Sequence, residues 1–196
     1  MTVAALPARP VGRPLGWWGM LFVIATEATL FAVLLASYFY LRFKSPGAWP
    51  PDGISDPKLL KPAVMTAFLM ASSLTVWYGE RAVRRDDMRG LRIGLALTFL
   101  LGVGFLALQF VEYRELLREI HPSTDAYAST FFTITGLHGA HVVAGLLLLA
   151  WTQFFAWRGA YRSEEHVAVQ TSALYWHFVH VVWLFLFLAL YLSPRL

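Results

Sequence analysis

Residues 173–192 read ALYWHFVHVVWLFLFLALYL. No charge interrupts them, and a bilayer-spanning helix needs about 20 mostly apolar residues. Yet the stretch carries His177 and His180, three apart, and Trp176 and Trp183, seven apart. At helical spacing each pair lies on one face. Histidines placed there either ligate a metal or fasten this helix to its neighbours.

Four more stretches of this kind precede it. Of 196 residues, 58% are hydrophobic and 14% charged, where a soluble domain carries about a quarter charged residues. Apolar runs cover about 17–41, 62–82, 91–112, 128–157 and 170–192. The breaks between them are charged or rich in proline and glycine, as in RFKSPGAWPPDGISDPKLLKP at 42–62 and RGAYRSEEH at 158–166. The third run continues into the amphipathic EYRELLREI and stops at His121-Pro122. The sequence therefore predicts an all-α integral membrane protein, a single five-helix domain over 17–193. Residues 1–16 are expected to form a disordered tail rather than a cleaved signal. The absence of cysteine excludes disulfides, thiolate metal sites and cysteine nucleophiles. The net charge of +4 belongs to membrane-flanking loops and does not imply a nucleic-acid partner.

Charge also predicts orientation. Nine basic residues, Arg9, Arg13, Arg81, Arg84, Arg85, Arg89, Arg92, Arg158 and Arg162, fall on the side of the N-terminus, and seven on the other. Five of the nine crowd into the short break at 80–92, where the positive-inside bias acts. The N-terminus is expected in the cytoplasm and the C-terminus in the periplasm.

Polar residues inside the spans are the candidates for function, since each is costly in hydrocarbon. Glu27 sits mid-span in the first run, either as a proton- or lipid-associated group or as a carboxyl bonded to a neighbouring helix. His138 and His141 repeat the three-residue spacing in the fourth run. Gly136, Ala140 and Ala144 form a small-xxx-small ladder beside them, expected to admit a second backbone. At 1.5 Å rise per residue the two histidine pairs reach similar depth on antiparallel helices, so depth alone leaves a four-histidine site open. The chemistry points elsewhere. A di-metal site in a bundle recruits several inward carboxylates, and only Glu27 and Glu112 lie within reach of the spans. Interhelical hydrogen bonding by His138, His141, His177 and His180 is favoured, with a proton relay second and no metal expected. Trp176 and Trp183 form a stripe expected either to pack against a neighbour or to anchor at the interface. Gln109 is expected to make an interhelical bond, and Glu112 and Tyr113 to be solvated at the far interface.

The motifs have a family likeness. YWHFVHVVWLFLFLALYL resembles the last helix of subunit III of haem–copper oxidases, where W-H-F-x-D-V-V-W is usual. STFFTITGLHGAHVVAG is similar to that family's F-F-x-x-T-G-x-H-G-x-H-V-x-x-G. WWGMLFVIATEATLFA resembles its W-G-M-x-x-F-x-x-S-E-x-x-x-F, and LALQFVEYREL the segment ending Gln-x-x-Glu-Tyr. The resemblance covers about 17–193 and puts Glu27 on the family's buried carboxylate. It implies a non-redox, non-catalytic subunit of a proton-pumping terminal oxidase of aerobic respiration, which reduces O2 to water. That subunit supports assembly, stability and proton uptake, with haem and copper on its partners. It also implies contact with subunits I and II, association with phospholipid, and a bacterial inner (plasma) membrane location. Five helices match a short form lacking the first two of seven. Three departures qualify the likeness: His180 replaces the family's Asp, Gln170 a Glu, and Thr26 a Ser. Two other readings share these features: an accessory subunit of a quinol oxidase or nitric oxide reductase, and a histidine-metal membrane enzyme.

Overall fold

The computed structural model describes residues 13–51 and 59–195. Most of the expected N-terminal tail, residues 1–12, lies outside them, as does the 52–58 part of the first break. The described residues form five long helices and no strand: α1 Leu15–Lys44, α2 Leu60–Val83, α3 Met88–Glu119, α4 Ala126–Trp157 and α5 Val167–Leu186. The last continues through a π-helical segment, Phe187–Leu192, and a closing 3-10 turn, Ser193–Arg195. All five are long and apolar enough to cross a membrane. At 1.5 Å per residue the 32 residues of α4 span about 48 Å, so its ends reach beyond a hydrocarbon core of about 30 Å.

Local signals set the helix starts. Asp87 caps α3 by accepting from Gly90 N, and Asp125 caps α4 by accepting from Ala128 N. Such caps satisfy one of the free N–H groups of a first turn. The α2–α3 turn is tight, with Asp86 in the left-handed region at φ 57°, which Asp tolerates better than most residues.

α5 is the centre of the bundle. It packs against α1, α2 and α4, and eleven of its twenty residues are buried. The α2–α3 hairpin lies on one side of the α4–α5 pair and α1 on the other. α1 is peripheral, with only Phe31 and Tyr38 buried among its thirty residues. Within the hairpin the backbones touch. A Cβ built on Gly94 would lie 2.7 Å from Gly79 Cα and 2.8 Å from Thr75 O. This is the close approach that small residues permit in membranes.

The small residues of α4 that do this work differ from those expected. Ala140 and Ala144 are exposed on the outer face of α4, and Gly136 meets only the Tyr113 hydroxyl. Gly145 is the notch instead. With Gly102 of α3 it receives the indole of Trp176, whose carbons lie 2.7–2.9 Å from where either Cβ would stand. The ladder was one helical face off, because Trp176 and not a second backbone fills the contact.

A polar seam as the candidate functional site

The polar residues of α5 meet α2. Trp176 Nε1 donates to Ser72 Oγ at 3.1 Å, and Trp183 Nε1 to Thr66 Oγ1 at 2.9 Å. His180 Nε2 lies 2.9 Å from the same Ser72 Oγ, and His177 Nδ1 lies 2.9 Å from Ser73 Oγ. All four residues of the opening stretch are thus tied to three α2 hydroxyls. The proton count around Ser72 is tight. His180 Nδ1 donates to the Trp176 carbonyl, which leaves a neutral ring only Nε2 as acceptor. Ser72 accepts from Trp176, and its one proton goes either to His180 Nε2 or to Leu69 O at 2.8 Å. The seam continues at Thr75–Thr98 between α2 and α3 and at Thr152–Ser172 between α4 and α5, each 2.8 Å.

The α4 pair divides. His141 Nδ1 lies 2.7 Å from its own Leu137 carbonyl and so carries the hydrogen, while Nε2 faces Glu27 Oε2 of α1 at 2.9 Å. One proton is shared across that gap: a neutral carboxyl donates to imidazole, or imidazolium donates to carboxylate. The pair is not sealed, since 34% of the Glu27 side chain and 14% of the His141 side chain remain accessible. His138 is fully buried, and neither ring nitrogen has a partner. Its ring lies among Phe31 at 6.2 Å, Phe105 at 5.8 Å and Trp183 at 5.2 Å. The expected interhelical hydrogen bond of His138 is therefore absent, because helix rotation turns it into an aromatic cage.

Equal depth does not assemble a four-histidine centre. His177 and His180 look to α2 and His141 to α1. Among the described residues no three His, Asp or Glu side chains stand close enough to hold a metal. Gln109 does bridge helices, with Nε2 donating to Thr135 O at 2.8 Å. Tyr113 turns inward, its hydroxyl against Thr135 Oγ1, and Glu112 is half-buried and bonds the Tyr191 hydroxyl. The expectation that both are solvated fails, because the amphipathic end of α3 packs on α4 and on the π-helical end of α5. Sequence reasoning missed Thr66, Ser72 and Ser73. A helical Ser or Thr commonly bonds its own preceding turn, so nothing in the sequence set these three apart.

The family model described as cytochrome c oxidase subunit III matches residues 8–194. The chain belongs to the cytochrome c oxidase subunit III family. It is 38% identical to cytochrome c oxidase subunit 3 of Synechocystis sp., over 92% of this chain and 77% of that protein. With the Thermostichus vulcanus protein of the same name it shares 36% identity, over 90% and 87%. With that of the carp Cyprinus carpio it shares 37%, over 89% and 68%. Family membership, with five helices able to span a bilayer, makes this a multi-pass membrane subunit of a respiratory oxidase. Within the subunit III chain, the seam unites the motif histidine His177 of α5, and His180 in place of the family's Asp, with hydroxyls of α2, and the motif Glu27 with the second motif histidine of α4.

Proposed function

We propose that this subunit is a non-redox partner of the oxidase's catalytic subunit. It packs chiefly beside subunit I, also meets subunit II, and supports assembly, stability and proton uptake. Haem and copper belong to those partners, with phospholipid filling the remaining lipid-facing surface. The observation that carries this reading is the Glu27–His141 pair. Glu27 stands twelve residues into α1, about 18 Å along a 30-residue helix, near mid-membrane. A carboxyl group one-third open at that depth is costly against hydrocarbon, so a protein or lipid surface of matching polarity covers it. The donor sets support a non-redox chain: ring nitrogens of His141, His177 and His180 are engaged by Glu27, Ser73 and Ser72. In this reading the arginine-rich end, which carries the α2–α3 turn and the α4–α5 loop, faces the cytoplasm from a bacterial inner membrane, an orientation that the positive-inside bias supports.

The test is purification of the tagged chain with its neighbours. A haem-bearing larger subunit co-purifies. Glu27→Gln lowers its retention after detergent washing while the initial O2-reduction rate per haem of surviving complexes stays unchanged. An isolated, stable chain without haem-bearing partners, or loss of the initial rate in a fully assembled Glu27→Gln complex, overturns the reading.

A further inference from the structure

The end of the bundle opposite the arginine-rich turns holds a file of oxidisable rings. Trp183 of α5 meets Tyr191 at 6.3 Å between ring centroids. Tyr191 meets Phe131 of α4 at 5.7 Å, Phe131 stacks on Tyr127 at 6.1 Å, and Tyr127 meets Trp49 at 5.4 Å. Each separation lies in the contact range of aromatic pairs. Trp183, Tyr191 and Tyr127 are buried, and Trp49 is half-buried in the segment after α1. The file thus runs from near the middle of the fifth span to the loop face. Helix winding helps to build it. Eight residues of α-helix would turn Tyr191 about 80° away from Trp183. The π-helical segment Phe187–Leu192 turns more widely, and the two rings meet on one face. Such turns are rare and gather at functional sites.

A tyrosine yields an electron readily only where its phenolic proton has an acceptor, because the oxidised phenol is a strong acid. Tyr191 has such an acceptor. Its hydroxyl bonds the Glu112 carboxyl near the end of α3, and a carboxylate accepts without donating. Lys61 of α2, which ion-pairs with Glu115, brings a positive charge to Glu112. Neighbouring phenols are placed differently. The Tyr113 hydroxyl lies against the Thr135 hydroxyl, and the buried Tyr38 hydroxyl, whose ring adjoins Trp49 at 5.7 Å, makes no hydrogen bond. Tyr191 is therefore where an electron and a proton can part. Packing alone asks for the Tyr191 ring and makes no use of a carboxylate on its hydroxyl.

We propose that Tyr191 and Glu112 form a proton-coupled redox pair, and that the file relays single oxidising equivalents between Trp183 and Trp49. A one-electron oxidant takes an electron from Trp183 and leaves an indole radical cation. Tyr191 returns the electron to Trp183 and passes its phenolic proton to Glu112, giving a neutral tyrosyl radical and a carboxylic acid. Trp49, through Tyr127 and the bridging Phe131 ring, gives Tyr191 an electron, and the proton goes back from Glu112. A small hydrophilic reductant, a thiol or an enediol, then restores Trp49 at the loop face. A complex that reduces oxygen generates one-electron oxidants by its own chemistry, so a subunit of it has a use for such a relay. The pair rests on ring contacts and one carboxylate, and stands whether or not the assembly role proposed above holds.

The test uses the full chain, in whatever complex it purifies with, in detergent. A flash generates ruthenium(III) tris-bipyridine with a cobalt(III) acceptor, and rapid freezing traps radicals for electron paramagnetic resonance. Ring-deuterated tyrosine identifies tyrosyl signals by their narrowing. Tyr191→Phe keeps the ring and isolates the Tyr191 share by difference. A narrowed tyrosyl difference signal is expected. Glu112→Gln keeps the side-chain shape but takes no proton, and it lowers that signal about ten-fold or more, the worth of one charge-assisted hydrogen bond. The water-soluble oxidant reaches the file at Trp49, so Trp49→Phe lowers the signal as well. Tyr40→Phe, on an exposed ring outside the file, leaves it unchanged. Where Glu112→Gln disturbs the fold, solvent deuterium gives the second reading without a substitution, since it slows formation of a radical that must lose a proton. No difference between wild type and Tyr191→Phe, a full signal in Glu112→Gln or in Trp49→Phe, or formation indifferent to solvent deuterium overturns the proposal.

Discussion

Helices α4 and α5 each carry two histidines three residues apart, at similar depth, yet the pairs live in different chemistry. On α5 both rings find hydroxyls of α2 within 2.9 Å. On α4 one ring reaches across to Glu27 and the other is enclosed by Phe31, Phe105 and Trp183 with both nitrogens unpartnered. Spacing and depth are the same, and the rotation of the helix about its axis differs. A histidine's role in a membrane bundle therefore follows from which neighbour its face meets.

The largest expected effect lies where α5 is keyed into the bundle. Trp176 fills the notch made by Gly102 and Gly145 and also bonds Ser72. Trp176→Ala is expected to cost about 3–5 kcal/mol, measured by denaturant titration in mixed micelles. Trp183→Phe, which mainly removes the bond to Thr66, is expected to cost about 0.6 kcal/mol. If the two variants lose equal stability, α5 is held by its polar bonds and not by packing.

The histidines themselves give the next contrast. His180→Leu removes the ring facing Ser72 and is expected to cost about 1–3 kcal/mol. His138→Phe replaces two unpartnered buried nitrogens with carbon inside an aromatic cage. It is expected to leave stability within about 0.5 kcal/mol of wild type or to raise it. Thermal retention of the subunit in detergent ranks the two, and the reverse order would show that the His138 ring nitrogens are partnered inside the cage.

A double-mutant cycle sharpens the α4 side. Glu27→Gln and His141→Phe, singly and together, are expected to show a coupling of about 0.6–1.7 kcal/mol, the range measured for bonds within membranes. A coupling near zero would mean that the pair does not hold α1 to α4.

The smallest effect lies outside the spans, where water screens what the bundle interior does not. The Asp86 carboxylate joins the α2–α3 turn to the α4–α5 loop, and its pKa is lowered, first by the Ser163 backbone N–H and then by the Ser163 hydroxyl. A folded value below the ordinary 3.8 means that the carboxylate's contribution is present above that pH and fades as pH falls through the folded value. Proteolysis of the 158–166 loop is expected to rise below pH 3.8 in wild type. It should be pH-independent over that range in Asp86→Asn, whose side chain also tolerates the left-handed turn. Equal pH profiles in the two proteins would remove the carboxylate from the clasp.

The seam was legible in part. Gln109 announced its interhelical bond because an amide in an apolar run has few other outlets, and the tryptophan stripe announced either packing or an interface anchor. The hydroxyls of Thr66, Ser72 and Ser73 did not stand out, since such side chains commonly bond a carbonyl of the preceding turn, as Thr66 and Ser72 also do here. Ala140 and Ala144 looked like a packing ladder but face outward, while Gly79 and Gly94 bring two backbones into contact. Small residues are common on both the inner and outer faces of membrane helices, so composition cannot say which face is which.

By itself, then, the sequence determined that the chain is five membrane-length helices, that it resembles subunit III, and that several polar side chains lie inside the spans. Hydropathy and motif order are one-dimensional quantities and survive without coordinates. Only the tertiary structure decided the partners, because in a bilayer every helix is apolar nearly all round. Its rotation about its own axis is then set by where a tryptophan finds a glycine notch and a histidine finds a hydroxyl.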